Sequence, residues 1–302
     1  MTITRVLILG GGGMLGHKLY HVLAREFDTW TTFHSFDDRL SRLKLFDQSK
    51  VTNGVDAFEL ASVQNAIRRS NPQVVINCIG MIKQKKDAQN HKTAIYLNAL
   101  FPHLLAEMCR ADKIRPIHMS TDCVFSGSKG GYHEESISDA EDLYGRTKFL
   151  GEIDSEEGLT LRTSIIGHEL FTAHSLVNWF FANAGGSIKG YTKAIYTGFP
   201  TVILARELVR VIREFPDLCG LHHISSDPIS KYELLSIINK QYGCGTKIEP
   251  FDDFICDRSL NSDLYKRKTG FRSLSWPEMI KVMSEDYSTS NYYRKGDRET
   301  GK

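Results

Sequence analysis

The first half of the chain alternates short apolar, β-branched runs with longer segments whose apolar residues recur at helical spacing. This alternation predicts parallel strands joined by helices that cover both faces of one sheet. The predicted strands are Val6–Leu9, Thr29–Phe33, Val74–Ile76, Pro116–Met119 and Leu159–Ile166, and the predicted helices are Leu15–Glu26, Leu60–Ser70, Tyr96–Ala111 and Leu143–Glu152. We therefore expect an α/β protein.

Composition narrows the class of protein. With 302 residues, 41% hydrophobic and 25% charged, the chain has ordinary globular usage and room for one large domain or two lobes. A net charge of +2 is too small to drive nucleic-acid binding. The chain shows neither a signal peptide nor an apolar run near the roughly 20 residues that cross a bilayer. Its six cysteines are scattered without a CxxC pair. We therefore expect a cytoplasmic protein with free thiols, no metal, no nucleic-acid partner and no membrane association.

The first predicted strand runs directly into Gly10-Gly-Gly-Gly13-Met-Leu-Gly16 and then a helix. Gly10 and Gly13 allow a tight turn and close approach of the backbone to a pyrophosphate, and Gly16 allows the helix to pack against the strand. The helix N-terminus adds partial positive charge. This context predicts a dinucleotide-binding, Rossmann-type, doubly wound parallel sheet, with a purely structural glycine turn as the alternative.

The pattern of the chain changes after Gly167, where helix candidates appear at Val202–Phe215 and Tyr232–Tyr242. We predict a smaller, discontinuous C-terminal substrate-binding lobe. The dinucleotide-binding domain is assigned residues 1–167 and 199–227, and the lobe is assigned 168–198 and 228–290. The polar stretch from Ser284 to Lys302 is predicted to be loosely held, with 291–302 as a flexible tail.

The end of the second strand bears on which dinucleotide binds. An acidic residue there normally takes the ribose hydroxyls of NAD, but this strand ends at Phe33-His34-Ser35, and Asp37 and Asp38 come late. Arg39 and Arg42 follow, and arginine suits a 2′-phosphate. We predict that His34 and Arg39 lie at the adenosine ribose and that NADP(H) is preferred, with NAD(H) possible. Solvated surface arginines are the alternative.

Tyr144 and Lys148 stand four residues apart on a predicted helix, so their Cβ atoms lie about 5 to 6 Å apart on one face. A nearby ammonium stabilises a phenolate and lowers the tyrosine pKa from about 10 toward the working range. Thr121 ends a buried strand, at the edge where open α/β sheets bind ligands. Its hydroxyl is suited to hold a substrate carbonyl.

The glycine turn, strand-end threonine and YxxxK pair, in this order, resemble the extended short-chain dehydrogenase/reductase superfamily. More narrowly, the chain resembles the dTDP-4-dehydrorhamnose reductase family from about Arg5 to Met283. The blocks that carry the similarity are Val75–Cys78, Met119–Gly127, Tyr144–Glu152, Leu161–Ser164, Gly198–Thr201, Leu221–Ser225 and Arg258–Ser262. The resemblance implies that Thr121, Tyr144 and Lys148 are the catalytic triad.

The resemblance also implies contacts with the cofactor and the substrate. On the cofactor side, Gly10, Gly13, Met14, Leu15 and Gly16 line the pyrophosphate, Asp56 and Ala57 lie near the adenine, Cys78, Ile79 and Gly80 lie near the adenosine and linker, and Asn98 lies on the helix behind the site. Tyr144 and Lys148 contact the cofactor as well. The substrate side comprises Thr121, Asp122, Cys123 and Arg258.

Two departures from the family lie where the sugar is expected. Cys123 replaces a usual tyrosine, and Ile165-Ile166-Gly167 replaces a segment that usually has an aromatic residue. The reaction type therefore carries over better than the sugar. Arg258 is suited to bidentate contact with a diphosphate. Lys85 and Lys86 are further diphosphate candidates, with a solvated loop pair as the alternative.

Three functions follow from these patterns. The first is an NADPH-dependent reductase of a nucleoside-diphosphate 4-keto-6-deoxy sugar, in which hydride reaches C4 and Tyr144 donates the proton. The second is a nucleotide-sugar epimerase or dehydratase that recycles its cofactor. The third is a non-catalytic nucleotide-binding regulatory subunit, as in relatives that bind methionine adenosyltransferase. We predict the first, and a homodimer is left open.

Overall fold

The computed structural model describes residues 3–81, 90–156 and 158–293, and a parallel sheet forms its centre. The strands are β1 (Arg5–Leu9), β2 (Asp28–Thr32), β3 (Val51–Thr52), β4 (Val74–Asn77), β5 (Arg115–Thr121), β6 (Leu159–Thr163), β7 (Ile165–Ile166), β8 (Ser187–Tyr191), β9 (Ala194–Tyr196), β10 (Phe199–Pro200), β11 (Gly220–His223), β12 (Ile229–Ser230), β13 (Lys247–Phe251) and β14 (Cys256–Asp257). The central sheet has the order β11-β6-β5-β4-β1-β2-β3, and its neighbouring strands are parallel.

Helices cover both faces of this sheet. They are α1 (Met14–Leu23), α2 (Asp38–Arg42), α3 (Leu60–Ser70), α4 (His91–Ala94), α5 (Phe101–Ala111), α6 (Leu143–Leu150), α7 (Leu176–Ala182), α8 (Thr201–Glu214), α9 (Lys231–Tyr242), α10 (Asp263–Thr269) and α11 (Trp276–Thr289). A π-helical stretch, Ile95–Leu100, joins α4 to α5. Apolar residues of α1 and α8 share one buried layer, and those of α3 and α5 share another. The predicted doubly wound α/β fold is confirmed.

The register of the sheet brings the ends of four strands to one edge. Leu9 at the end of β1 lies opposite Asn77 of β4, and Thr121 at the end of β5 lies opposite Thr163 of β6. Because parallel strands share one carboxyl edge, the glycine turn, the segment after β4 and the segment after β5 meet there. This edge holds the candidate site.

Smaller sheets are built from later parts of the chain. β8 pairs with β13, β9 pairs with both β12 and β14, and β7 pairs with β10. The predicted strand Leu159–Ile166 is interrupted at Ser164, where β6 ends and β7 begins. We propose that β8, β9 and β12–β14 belong to the predicted substrate-binding lobe, whose boundaries stay a prediction.

The C-terminal stretch is held more firmly than its polarity predicted. Helix α11 continues through Ser284 to Thr289, and Tyr292 and Tyr293 are only 5% and 4% exposed. The prediction of a loose tail is therefore wrong as far as Tyr293, because the two aromatic rings are buried against α1. Residues 294–302 lie outside the described part of the chain.

Candidate active site

The turn between β1 and α1 needs glycine at two positions. Gly10 has a φ of 85°, a left-handed conformation that favours glycine. A Cβ at Gly16 would stand 2.2 Å from the Gly10 carbonyl oxygen, so a side chain there is excluded. Gly13 begins α1 without a side-chain cap, which leaves the first helical N–H groups available to an anion. These features fit the pyrophosphate of a dinucleotide, with Met14 and Leu15 in the first helical turn.

The segment after β4 packs against this turn. A Cβ at Gly10 would lie 3.2 to 3.3 Å from atoms of Ile79 and Cys78. Burial raises the pKa of the Cys78 thiol to about 12, so this thiol stays protonated. Asn98 accepts a hydrogen bond from the Met81 N–H at 2.8 Å, and a Cβ at Gly80 would lie 3.1 Å from its side-chain oxygen.

Asn98 also ties this segment to the helix that carries the YxxxK pair. Its amide nitrogen donates to Thr147 Oγ1 of α6 at 3.2 Å, and the side chain is buried. Asn98 therefore lies behind the site and connects the segment after β4 with α6. Its contribution to cofactor binding stays a prediction.

On the predicted adenosine side, the structure shows a contact between Arg39 and Phe171 that the sequence did not indicate. His34 is exposed after β2, with its Nε2 3.6 Å from Asp56 Oδ2. The Arg39 guanidinium in α2 stacks 4.4 Å from the centre of the Phe171 ring. Asp37 caps α2 by accepting a backbone hydrogen bond at 3.0 Å, which engages its carboxylate locally. The predicted ribose roles of His34 and Arg39, and that of buried Ala57 near the adenine, stay predictions.

Thr121 and Tyr144 meet at the edge of the sheet. Thr121 Oγ1 donates to Asp122 Oδ1 at 3.2 Å and accepts the Cys123 N–H at 3.1 Å. Asp142 caps α6, which places Tyr144 in the first turn of that helix. Burial raises the pKa of Tyr144, Cys123 and Asp122 raise it further, and a hydrogen bond with Thr121 opposes this rise. Tyr144 therefore keeps its proton at neutral pH.

Lys148 is buried and directed at the backbone of β5. Its Nζ donates to the Met119 carbonyl at 2.6 Å, and burial lowers its pKa to about 8 although Glu152 and Cys78 raise it. The spacing predicted that this ammonium brings the pKa of Tyr144 toward neutrality. Desolvation of the phenolate raises the pKa of Tyr144 in this structure, and the tuning of Tyr144 by Lys148 stays a prediction.

A buried histidine behind Lys148 has a fixed tautomer. The Ile79 N–H donates to Asn77 Oδ1 at 3.0 Å, so Asn77 Nδ2 faces His118 Nδ1 at 3.3 Å. An amide nitrogen only donates, so Nδ1 accepts and the ring proton lies on Nε2, 3.3 Å from Lys148 Nζ. Burial holds the pKa of His118 well below its ordinary value, so the ring is neutral. An N–H directed at Nζ favours the uncharged amine.

Arg258 reaches the same edge from the end of β14. Its Nε donates to the Phe125 carbonyl at 2.8 Å, and its Nη1 lies 3.6 Å from Cys123 Sγ. Burial raises the pKa of the Asp122 carboxyl, while the Arg258 charge and a hydrogen bond from Ser164 lower it. The structure thus brings Arg258, Asp122 and Cys123 together beside Thr121. Their contacts with substrate stay predictions.

Sequence reasoning missed three residues of this region. His118 lies behind Lys148, Ser164 contacts Asp122, and Phe171 holds Arg39. Ser164 belongs to a block that resembles the family, which was a usable signal. His118 and Phe171 carry no spacing signal, because their partners are distant in sequence.

Three further predictions concern Lys85 and Lys86, a metal site and membrane association. Lys85 and Lys86 lie outside the described residues. Within residues 3–81, 90–156 and 158–293, no three His, Cys, Asp or Glu side chains are grouped to hold a metal ion. In the same part of the chain, none of the helices combines the length and apolar character needed to span a membrane.

Comparison with known proteins gives a family match and distant relatives. The profile of the RmlD substrate binding domain matches residues 4–287. One relative is dTDP-4-keto-6-deoxy-D-glucose reductase of Streptomyces niveus, which is 29% identical over 170 residues, or 53% of this chain and 52% of the relative. Another is methionine adenosyltransferase 2 subunit beta of Xenopus tropicalis, which is 27% identical over 242 residues, or 76% of this chain and 70% of the relative.

The fold has close counterparts among solved structures. A structure of dTDP-4-dehydrorhamnose reductase from Bacillus anthracis in complex with NADP superposes with a TM-score of 0.76 at 20% identity, covering 94% of this chain and 100% of that chain. At this identity the match shows the fold. The chain spans about half the length of the Streptomyces relative, in contrast to its full coverage of the solved structure.

Proposed function

This chain belongs to the RmlD substrate binding domain family, and we propose on that premise that it is an NADPH-dependent reductase of a nucleoside-diphosphate 4-keto-6-deoxy sugar. One observation carries the proposal: Thr121 and Tyr144 share a hydrogen bond at the carboxyl edge of the sheet, with Lys148 on the same helix as Tyr144, and a glycine turn whose geometry fits a pyrophosphate lies at that edge. The reductase name of the Streptomyces relative supports the reaction class.

The bound cofactor would supply a hydride to the C4 carbonyl of the sugar. Tyr144 gives its phenolic proton to the carbonyl oxygen, so the ketone becomes an alcohol. Burial raises the pKa of Tyr144, so the donor is protonated at neutral pH. Thr121 shares a hydrogen bond with Tyr144. Its hydroxyl, which donates to Asp122 in this structure, would turn to donate to the C4 carbonyl oxygen of the sugar.

Lys148 has two tasks in this reaction. Its Nζ lies beneath the edge between Met119 and His118, where it is placed to hold the cofactor ribose. As an ammonium it also stabilises the phenolate left after proton transfer. Both tasks require the charged form, which the low pKa makes sensitive to pH.

The substrate class rests on Arg258. Its guanidinium carries a fixed charge beside Cys123 and Asp122, and arginine is suited to bidentate contact with a diphosphate. We assign the diphosphate to Arg258 and the sugar to the surface formed by Thr121, Asp122 and Cys123. Cys123, where the family usually has a tyrosine, gives this surface a smaller side chain at the sugar.

The cofactor assignment rests on the end of β2. The Asp37 carboxylate is occupied as a helix cap, and Arg39 stands in α2 with its charge exposed. These features favour a 2′-phosphate over a free ribose hydroxyl, so NADP(H) is preferred and NAD(H) is the alternative. The Bacillus anthracis structure of the same fold is a complex with NADP.

A second function is favoured by the Xenopus tropicalis relative, which is named as a subunit of methionine adenosyltransferase and matches 76% of this chain. In that case the chain binds a dinucleotide without turnover. An epimerase or dehydratase of the same superfamily would recycle its cofactor, and it would need further acid–base residues beside Asp122.

A cofactor-oxidation screen distinguishes these functions. The protein is mixed with NADPH and with dTDP-, UDP-, GDP- or CDP-linked 4-keto-6-deoxy sugars, and NADPH loss is compared with product. We expect one NADPH oxidised per alcohol formed. Product without net oxidation would indicate an epimerase or dehydratase, and NADPH binding without product from any sugar would indicate a regulatory subunit.

Tyr144→Phe is the matched variant for this screen. It should lower turnover by about 10² or more, because a positioned proton donor contributes roughly 10² to 10⁴. The dissociation constant of NADPH should stay nearly unchanged, since the ring is retained. Comparable turnover in the variant would reject Tyr144 as the donor.

A further inference from the structure

The C-terminal segment after α11 packs onto the first turns of α1, next to the glycine turn. Tyr292 and Tyr293 are buried there, and the ring centroid of Tyr293 lies 5.8 Å from that of His17. Tyr293 is separated from His17 by 276 positions in the sequence. The end of the described chain thus reaches the place where the pyrophosphate is expected.

Two hydrogen bonds connect Tyr293 to the backbone of the glycine turn. His17 Nδ1 lies 2.8 Å from the Gly13 carbonyl oxygen, and His17 Nε2 lies 2.9 Å from Tyr293 Oη. A carbonyl only accepts, so Nδ1 carries the proton. Burial lowers the pKa of His17 to about 3, so the ring is neutral and Nε2 is an acceptor. The Tyr293 hydroxyl therefore donates to His17, which donates to Gly13.

The Gly13 carbonyl bears directly on anion binding. A peptide group is planar and trans, so its C=O and the following N–H point in opposite directions. Fixing the Gly13 oxygen therefore fixes the direction of the Met14 N–H. That N–H opens α1 and is among the helix N-terminal donors available to a phosphate. The Gly13 oxygen also accepts the first backbone bond of α1, from the His17 N–H at 3.1 Å, so His17 holds this peptide plane through both its backbone and its ring.

We propose that Tyr293 is a positioning residue of the cofactor site, which orients the Met14 N–H toward the pyrophosphate through His17 and the Gly13 carbonyl. This rests on the proposed dinucleotide binding but assigns a role that the catalytic residues do not require. The C-terminal segment then belongs to the cofactor site rather than to the periphery of the fold.

The neighbouring tyrosine provides a matched control. Tyr292 Oη accepts a hydrogen bond from Lys18 Nζ at 2.6 Å, and Lys18 is also paired with Asp286 of α11. This contact anchors the same segment to the same helix, and both tyrosines are similarly buried. The Tyr292 hydroxyl also shares a hydrogen bond with that of Tyr293, but it makes no contact with His17 nitrogen atoms or the Gly13 carbonyl among the described residues, so Tyr293 can still donate to His17 without it. Loss of either hydroxyl should therefore lower stability, but only loss of the Tyr293 hydroxyl should disturb the glycine turn.

The test compares Tyr293→Phe and Tyr292→Phe in the full chain. Dissociation constants are measured by titration calorimetry for NADPH, for NADH and for adenosine 2′-monophosphate, which has no phosphate at the 5′ position. We expect Tyr293→Phe to weaken NADPH and NADH by the same factor, about two- to tenfold, which is the net worth of one hydrogen bond. Binding of the monophosphate should be unchanged, and Tyr292→Phe should leave all three constants at wild-type values.

Thermal unfolding separates positioning from stability. Both variants are expected to unfold at a lower temperature than the wild type. If Tyr293→Phe binds NADPH as tightly as the wild type does, or weakens all three ligands together with Tyr292→Phe, the positioning role is overturned. If the wild type binds neither NADPH nor NADH, the proposed function itself fails, which is a separate outcome.

Discussion

At the scale of single residues, burial acts on Tyr144 and Lys148 in opposite directions. It raises the pKa of the tyrosine and lowers that of the lysine to about 8, because it disfavours the charged form of each. The proton donor is therefore retained throughout the neutral range. The charge of Lys148 is lost first as pH rises.

We predict that the reductase rate falls as pH increases through about 8 and that Lys148 causes this fall. Lys148→Arg keeps a positive charge across this range. In that variant the alkaline decrease should disappear or move to higher pH, even if the maximal rate is lower. The measurement is kcat against pH for both proteins with NADPH saturating. An unchanged decrease near pH 8 in the arginine variant would rule out Lys148 as its cause.

Titration of Lys148 does not lower the stability of the fold over the same pH range. The pKa of Lys148 is lower in the folded chain than its ordinary value of 10.5, so between about 8 and 10.5 the unfolded chain binds more protons. The contribution of this group to the free energy of unfolding therefore rises with pH in that window. Thermal unfolding recorded across the pH series should show no loss of stability arising from Lys148.

At the scale of elements, the glycine turn allows a comparison of two of its glycines, Gly16 and Gly12. Gly16→Ala would place a Cβ 2.2 Å from the Gly10 carbonyl oxygen, whereas a Cβ at Gly12 meets only the Phe33 ring at 3.7 Å. We predict that Gly16→Ala abolishes NADPH binding or folding and that Gly12→Ala is tolerated. Calorimetric titration of both variants, with thermal unfolding beside it, checks this. Tight NADPH binding by Gly16→Ala would contradict the close packing of α1 on β1.

Helix α2 determines the predicted cofactor preference. Changing both Arg39 and Arg42 to alanine should reduce the preference for NADPH over NADH by about tenfold or more, the worth of a charged hydrogen bond to phosphate. Phe171→Leu removes the stacked ring but keeps the charge of Arg39, so its effect should be smaller. Both dissociation constants are measured for each protein. If NADPH and NADH have equal dissociation constants, and if the double change alters neither, a phosphate pocket at α2 would be rejected.

The elements that the sequence predicted well are those with a long enough pattern. The buried runs that became β1, β4 and β5 are continuous apolar segments, and the helices between them show an apolar face. Strands of two residues, such as β3 and β12, carry no period and could not be predicted. The catalytic spacing was visible on α6, but the pKa values were not, since they depend on burial in the folded chain.

At the scale of the whole molecule, the contacts that sequence could not reveal join distant segments. Tyr292 and Tyr293 follow a polar stretch, and their burial depends on His17 and Lys18 at the other end of the chain. Arg39 likewise finds its ring partner in Phe171. No local pattern records such pairs, because each partner is an ordinary residue in its own segment.

A second property of the whole molecule is that several of its histidines are buried and neutral. His17, His118, His168 and His223 are each at most 3% exposed, and they lie in separate parts of the fold. Burial lowers the pKa of His17, His168 and His223 to about 3 and that of His118 well below the ordinary 6.5. Below pH 6.5 the unfolded chain therefore binds protons that the folded chain does not.

This difference predicts a steep loss of stability in mild acid. Because the unfolded state binds more protons between pH 6.5 and about 3, the free energy of unfolding falls as pH decreases through that window. From pH 7 to 5 each such histidine removes up to about 2 kcal/mol, and four remove up to about 8, within the roughly 5 to 15 kcal/mol of a typical fold. We therefore expect the protein to approach unfolding near pH 5.

Denaturant unfolding at pH 7, 6 and 5 measures this loss, and two variants assign it. His168→Gln removes one buried titrating group away from the catalytic edge, so stability should decline less steeply with acid. His174→Gln alters an exposed histidine and should leave the slope unchanged. The carboxylates whose pKa is lowered, such as Asp47 and Asp139, affect stability only as pH falls through about 3.8 and below, so they contribute little between pH 7 and 5. Stability that is constant from pH 7 to 5 would show that the histidines accept protons without unfolding.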